Sequence, residues 1–177
     1  MSRDIPETCL FIPLRMGRRC VRGKMKLFLS TFINKLDKKG RVSVPASFRL
    51  ALSGQSFQGI VAFRSYKLSA VEGMGIDRMQ RLSDSVDQLD LFSETQDDLT
   101  ATIFADSQML SLDGDGRIIL PSLLLDHAKI KEEVAFVGRG ATFQIWNPML
   151  FEEHQKEARQ RVQEKQATLK LGGPDES

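Results

Sequence analysis

Apolar residues along this chain follow two rhythms, short alternating or continuous runs and longer stretches stepping by three and four, and the chain passes from one to the other twice. Leu27-Phe28-Leu29-Ser30-Thr31-Phe32-Ile33 is apolar, aromatic and β-branched, which predicts a strand continuing to Leu36. After Pro45, the spacing of Phe48, Ala51 and Leu52 predicts a short helix from Ala46 to Leu52, ended by Gly54. Gly59 to Phe63 and Leu68 to Val71 predict a hairpin around Ser65-Tyr66-Lys67. Val71, Met74, Met79, Leu82, Val86 and Leu89 then recur at steps of three, four and five, the mark of an amphipathic helix, with Asp77, Asp84 and Asp87 opposite and Asp90 at the flank. A second helical stretch, Ser93 to Ala105, opens with Glu94, Asp97 and Asp98, where carboxylates favour a helix N-terminus.

The same succession follows again. Ser107 to Leu112 reads as a strand, Arg117 to Leu120 as another, and Ser122 to Ala128 as a helix. Val134 to Val137 and Thr142 to Trp146 flank Gly138-Arg139-Gly140-Ala141, a hairpin with glycines at its tip. Asn147 as N-cap and Pro148 at the first helical position begin a closing helix, which Gly172-Gly173-Pro174 ends. Glu152 with Lys156 and Glu157 with Arg161 fall at i,i+4 on its surface.

The two halves share a motif. Leu36-Asp37-Lys38-Lys39-Gly40-Arg41-Val42-Ser43-Val44-Pro45 returns as Leu112-Asp113-Gly114-Asp115-Gly116-Arg117-Ile118-Ile119-Leu120-Pro121, with Leu, Asp, Gly, Arg and Pro in the same order at the same spacing. Each copy reads as a strand, a tight turn and a second strand stopped by a proline that opens a helix. Gly40 and Gly116 supply the positive φ of such a turn, and Asp37 and Asp113 can accept bonds from backbone N–H groups just ahead. Pro45 and Pro121 cannot donate into a ladder but suit the first turn of a helix. Arg41 and Arg117 therefore leave their turns from backbone fixed on both sides.

Composition changes this picture little. The 177 residues are 41% hydrophobic and 27% charged, ordinary for a folded chain of one or two small domains. A formal charge of +2 is too mild to indicate nucleic acid by itself, so any such case rests on where the charges lie. Cys9 and Cys20 both precede Met25, which leaves the body of the chain without a disulfide framework or thiolate metal site and fits a reducing compartment, the cytoplasm. No run approaches the ~20 apolar residues of a membrane span. Residues 1–24 carry Arg3, Arg15, Arg18, Arg19, Arg22 and Lys24 without a clear period, and read either as a basic arm or as a disordered leader before Met25.

Several sites fail on their chemistry. Asp113-Gly114-Asp115-Gly116 begins like a calcium loop, but Arg117 then points a cation at the cation. His127 and His154 lie in predicted helices with no nucleophile elbow or partner motif, and read as ordinary helix histidines. Gly138-Arg139-Gly140 lacks the third glycine and the following helix of a dinucleotide fingerprint. The sequence offers no catalytic residue, no metal site, no cofactor and no evident small-molecule substrate.

Asp-x-x-Gly-Arg followed by an apolar strand and Pro, twice in one chain, with Phe143-Gln144-Ile145-Trp146 before a final helix, resembles the MraZ family of bacterial transcriptional regulators over about Met25 to Lys165. A single copy would suggest only the broader AbrB/SpoVT class. The resemblance implies an α+β fold of two tandem AbrB/SpoVT-like swapped-hairpin, β-barrel-like repeats in a pseudo-twofold arrangement with flanking helices. The expected limits are an extension at 1–24, a first repeat at 25–72, a helical connector at 73–105, a second repeat at 106–149, a C-terminal helix at 150–171 and a tail at 172–177. Repeats of this size bury little surface alone and need a partner to complete a core.

The resemblance further implies a DNA-binding regulator in the cytoplasm, associated with the nucleoid. It would act as a ring-shaped homo-oligomer on short direct repeats in promoter DNA upstream of division and cell wall genes. It makes Lys39 and Arg41 the principal DNA contacts, with Arg117 as the counterpart in the second half. Lys35, Lys38, Lys39 and Arg41 crowd one turn opposed by Asp37, and Arg49 follows in the next helix, which extends the DNA-binding set to all of these. Arg41 either contacts DNA or pairs with Asp37 to lock the turn, since a guanidinium fork suits both. In the second copy Gly114, Asp115 and Leu125 stand where Lys38, Lys39 and Arg49 do, so the first turn is expected to read DNA and the second to hold the assembly together. The competing function is a protein-interaction module, an antitoxin-like partner acting through the acidic helices between Asp77 and Asp98.

Overall fold

In the computed structural model, which describes residues 27–89 and 93–165, the first copy of the motif forms strand β1 (Thr31–Lys35), a turn, strand β2 (Arg41–Ser43) and helix α1 (Ala46–Leu52). Strands β3 (Gly59–Arg64) and β4 (Ala70–Met74) follow as a hairpin, then helix α2 (Ile76–Val86), helix α3 (Glu94–Leu99) and a π-helical turn (Thr100–Phe104). The second half gives β5 (Gln108–Ser111), β6 (Arg117–Ile119), α4 (Ser122–His127), β7 (Glu133–Gly138), β8 (Phe143–Trp146) and the long helix α5 (Pro148–Lys165). The basic stretch 1–24, with Cys9 and Cys20, and Asp90 and Gly172-Gly173-Pro174 lie outside the described residues.

Six strands make one antiparallel sheet in the order β1-β7-β8-β4-β3-β5, and β2 and β6 pair as a separate ribbon. When each second-half strand is matched to its first-half counterpart, this order reads the same from either edge. β1 lies against β7 and β5 against β3, so each half completes its sheet with a strand of the other. At the centre, β4 and β8 bring Glu72 opposite Gln144. The buried Gln144 donates to Glu72 Oε1 at 2.6 Å and accepts from Trp146 Nε1 at 3.0 Å, while Arg139 approaches Glu72 Oε2 at 3.7 Å. A polar pair in the middle of the sheet is thereby satisfied from both sides.

The main core is aromatic at its middle. Phe48 of α1 is fully buried between Phe28 and Phe32 of the first half and Phe136 and Phe143 of the second, with ring centroids 5.1 to 6.2 Å away. Tilted and edge-on contacts of this kind each contribute about 0.5–1.5 kcal/mol beyond the area they bury. The other face of the sheet carries two smaller clusters. α2 and the π-helical turn cover Val61, Phe63 and Met74 with Met79 and Ile103, and α5 lays Leu150 and Phe151 near Trp146, Ala135 and Val137.

Several sequence-based boundaries move. Ser30 adopts φ +71°, which separates Phe28, bridged to Gly140, from β1, so the predicted strand is shorter. Val71 and Met74 belong to strand β4 rather than to a helix, and the helical connector begins at Ile76 instead of residue 73. Their spacing suited a helix, but pairing with β3 and β8 claimed them for the sheet. The second helical stretch is split into α3, capped by Ser93 accepting from Gln96 N, and the π-helical turn. α1 keeps its expected limits, Ala46 to Leu52, with Ser53 as the C-cap and Gly54 at φ +78° just beyond it. Pro45 and Pro121 occupy the N-cap position, one residue earlier than the first helical turn. Asn147 caps α5 as the sequence suggests, accepting from Met149 N at 3.0 Å with Pro148 at the helix start.

Candidate nucleic-acid interface

The two turns are built alike. Asp37 Oδ1 accepts from Lys39 N at 2.8 Å and Arg41 N at 2.9 Å, and Asp113 Oδ1 accepts from Asp115 N at 3.0 Å and Arg117 N at 2.8 Å. Gly40 and Gly116 both sit at φ +75°, where a side chain would be strained. The second carboxylate oxygen holds the arginine: Arg41 Nε lies 2.6 Å from Asp37 Oδ2 and Arg117 Nε 3.0 Å from Asp113 Oδ2. Backbone bonds from Arg41, followed by the guanidinium, hold the Asp37 carboxyl below its ordinary range, and Arg117 does the same to Asp113. Of the two roles open for Arg41, turn bracing is thus present in the fold, and it engages Nε while both terminal nitrogens lie beyond that bond.

The ribbon then aims both arginines the same way. Its register sets Arg41 opposite Ile119 and Ser43 opposite Arg117, with Val42 opposite Ile118 between them. Strand alternation puts Val42 and Ile118, each 1% exposed, on the core face and the other four side chains on the outer face. Arg41 and Arg117 are diagonal neighbours there, about 7–8 Å apart at the backbone. Leu120 N donates to Gly40 O at 2.8 Å and Val44 N to Gly116 O at 3.0 Å, tying each strand to the opposite turn. A two-stranded ribbon of this form matches the width of a DNA major groove.

Charge separates the turns. Lys38 and Lys39 are exposed on the first. On the second, Asp115 adds a carboxylate to Arg117 Nη2 in a close ion pair. Lys35 lies at the end of β1 in register with Glu133 and shares a groove with Glu132, so acidic neighbours offset it. Arg49 is not beside the first turn as its place in the chain suggested. It packs over the second, where a Cβ built on Gly116 would lie 2.7 Å from Arg49 Cδ and Cζ. The reason is the ribbon: β2 carries the chain away from its own turn and delivers α1 to the opposite one. Arg49 therefore supplies to the second turn a cation that Leu125, packed near Gly40, does not return to the first.

Ser43 and Ile119 escaped the sequence reading. The alternation in Arg41-Val42-Ser43-Val44 marks Ser43 as outward, but in Arg117-Ile118-Ile119-Leu120 an unbroken apolar run hides that Ile119 faces out. The rejected sites keep other partners. Asp113 and Asp115 both turn onto Arg117. His127 Nε2 lies 3.1 Å from the carbonyls of Ser65 and Leu68, pinning the β3–β4 hairpin, and His154 stacks on Trp146 at 5.0 Å.

A family model described as "MraZ protein, putative antitoxin-like" matches residues 103–172. A protein of Pelagibacter ubique (strain HTCC1062) named transcriptional regulator MraZ is 46% identical over 144 residues, covering 81% of this chain and 93% of the relative. Proteins of the same name from Rickettsia akari (strain Hartford) and Rickettsia bellii (strain OSU 85-389) are 42% and 43% identical over 146 and 147 residues, each covering 82% of this chain and 98% of the relative.

Proposed function

The chain belongs to the MraZ family, and from that premise we propose that it is a transcriptional regulator, not an enzyme, that binds promoter DNA with the outer face of the β2–β6 ribbon. The observation that carries the reading is the first turn. Lys38 and Lys39 stand exposed beside an arginine whose backbone and Nε are already fixed. A preorganised guanidinium can grip guanine O6 and N7 with its terminal nitrogens while lysines neutralise phosphates. The first turn leads and Arg117, held by two carboxylates and neighboured by Arg49, follows.

The two halves act as the two chains of an AbrB-type swapped-hairpin dimer, a reading supported by the strand order that repeats from either edge of the sheet. Copies of the chain assemble as a ring and bind short direct repeats upstream of the division and cell wall genes, in the nucleoid. Exposed Ile33 on β1 and Met109 on β5, at opposite edges of the sheet, support such assembly by offering apolar surface to neighbours. A ring suits a modest patch, because several weak contacts on tandem repeats multiply through effective concentration. Among the described residues no helix is long and apolar enough to cross a membrane.

A mobility-shift titration on the region upstream of the gene, repeated across salt concentrations, tests the proposal. The expected result is a complex that survives competitor DNA and weakens steeply with salt. Loss of the complex on adding competitor would overturn it.

A further inference from the structure

We propose that Ile119 is a specificity residue that reads the 5-methyl group of thymine beside the guanidinium contacts. The inference rests on the DNA-binding reading of the ribbon and deepens it. Ile119 lies on the outer face in register with Arg41, and its neighbours there are Arg41, Ser43 and Arg117. It is 59% exposed although Val42 and Ile118, one position away, are shut into the core. Its position is held by the bond from Leu120 N to Gly40 O, and its Cγ2 sits beside Gly40 of the basic turn. A β-branched side chain on a strand has little χ1 freedom, so the exposed methyl surface is presented in a fixed direction.

Chemistry then selects the target. An apolar group flanked by two guanidinium groups on a ribbon docked in a major groove meets base edges, where the thymine methyl is the apolar feature of the code. Arginine distinguishes guanine and isoleucine distinguishes thymine, so the Arg41–Ile119 pair reads two kinds of base from one rung of the ribbon. At the corresponding rung the partner of Arg117 is Ser43, which can hydrogen-bond to any base. The ribbon is therefore unequal at its two ends, and each copy of the protein meets its site in one orientation. That inequality suits repeats that all point the same way rather than a palindrome.

The test compares two duplexes of the region upstream of the gene, one synthesised with thymine and one with uracil, which differs by lacking the methyl. Dissociation constants are measured in competitor DNA for the unaltered protein, Ile119→Ser and Ile119→Val. Serine already occupies the equivalent ribbon position at Ser43, so the fold accommodates it, and circular dichroism with light scattering checks fold and assembly. The unaltered protein and Ile119→Val are expected to bind the thymine duplex about fourfold more tightly per contacted base, the ratio that burying one methyl implies. Ile119→Ser is expected to bind both duplexes alike. If Ile119→Ser keeps the full thymine preference, or if it loses binding by breaking the oligomer, the assignment to thymine is overturned. If the unaltered protein fails to select either duplex over competitor, the DNA-binding reading falls and this inference with it.

Discussion

The turn at Asp37 and the turn at Asp113 have the same backbone-to-aspartate hydrogen bonds, the same glycine conformation and the same aspartate–arginine pair, yet they face the solvent with different charge. The two copies agree where the backbone needs them to. Asp, Gly and Arg are tied to each other in each turn, so changing one strains the rest, whereas the two positions between Asp and Gly are exposed and share only a backbone bond between the copies, which leaves their side chains free to differ. Lys38 and Lys39 in one copy and Gly114 and Asp115 in the other are the result. The contrast separates the residues that make the scaffold from those that choose what it touches.

The largest test of that contrast replaces each arginine. Arg41→Ala is expected to weaken binding to upstream DNA by about 10- to 100-fold, the worth of one bidentate grip on a base, and Arg117→Ala by less, as measured by anisotropy on the intact oligomer. Arg117→Ala abolishing the complex while Arg41→Ala leaves it unchanged would reverse the roles of the two turns. Next come the shared glycines. Gly40→Ala and Gly116→Ala force an L-residue to positive φ and should each cost about 1–2 kcal/mol in urea unfolding. Gly114→Ala, with open space around it, is the near-neutral comparison.

A smaller effect is expected from making the second turn resemble the first. Asp115→Lys frees Arg117 from one carboxylate and adds a cation, so DNA binding should tighten several-fold, and the salt slope should steepen by about 0.9 for each additional phosphate that the protein neutralises. An unchanged slope would remove the second turn from the interface. The mildest effect is on acid stability. Asp37 and Asp113 are both held below the ordinary aspartate value, so their contribution is present above that value and is lost as pH falls through the lower folded values. Asp37→Asn and Asp113→Asn should therefore flatten the stability curve below about pH 4, and by similar amounts, because the two pairs are alike.

Much of this was legible in the chain. The repeated motif, visible as Leu36 to Pro45 against Leu112 to Pro121, announced two equivalent strand–turn–strand units, and Asn147-Pro148 announced α5. What stayed hidden was partnership between distant segments. Nothing in Arg49 itself says that it rests on Gly116, since that follows from β2 pairing with β6 rather than with β1. Val71 and Met74 carried a spacing that fits a helix until β3 and β8 claimed them. Ile119 looked like core because its neighbours Ile118 and Leu120 are core.

The interleaved sheet has a consequence for synthesis. Strand β1 is made early and its partner β7 follows about a hundred residues later, so at ordinary elongation rates the nascent chain carries an unpaired strand for on the order of ten seconds. A sheet assembled from such distant segments also has high contact order and closes slowly once complete. Because both halves belong to one polypeptide they need not find each other by diffusion, and the first half waits on the ribosome for the second.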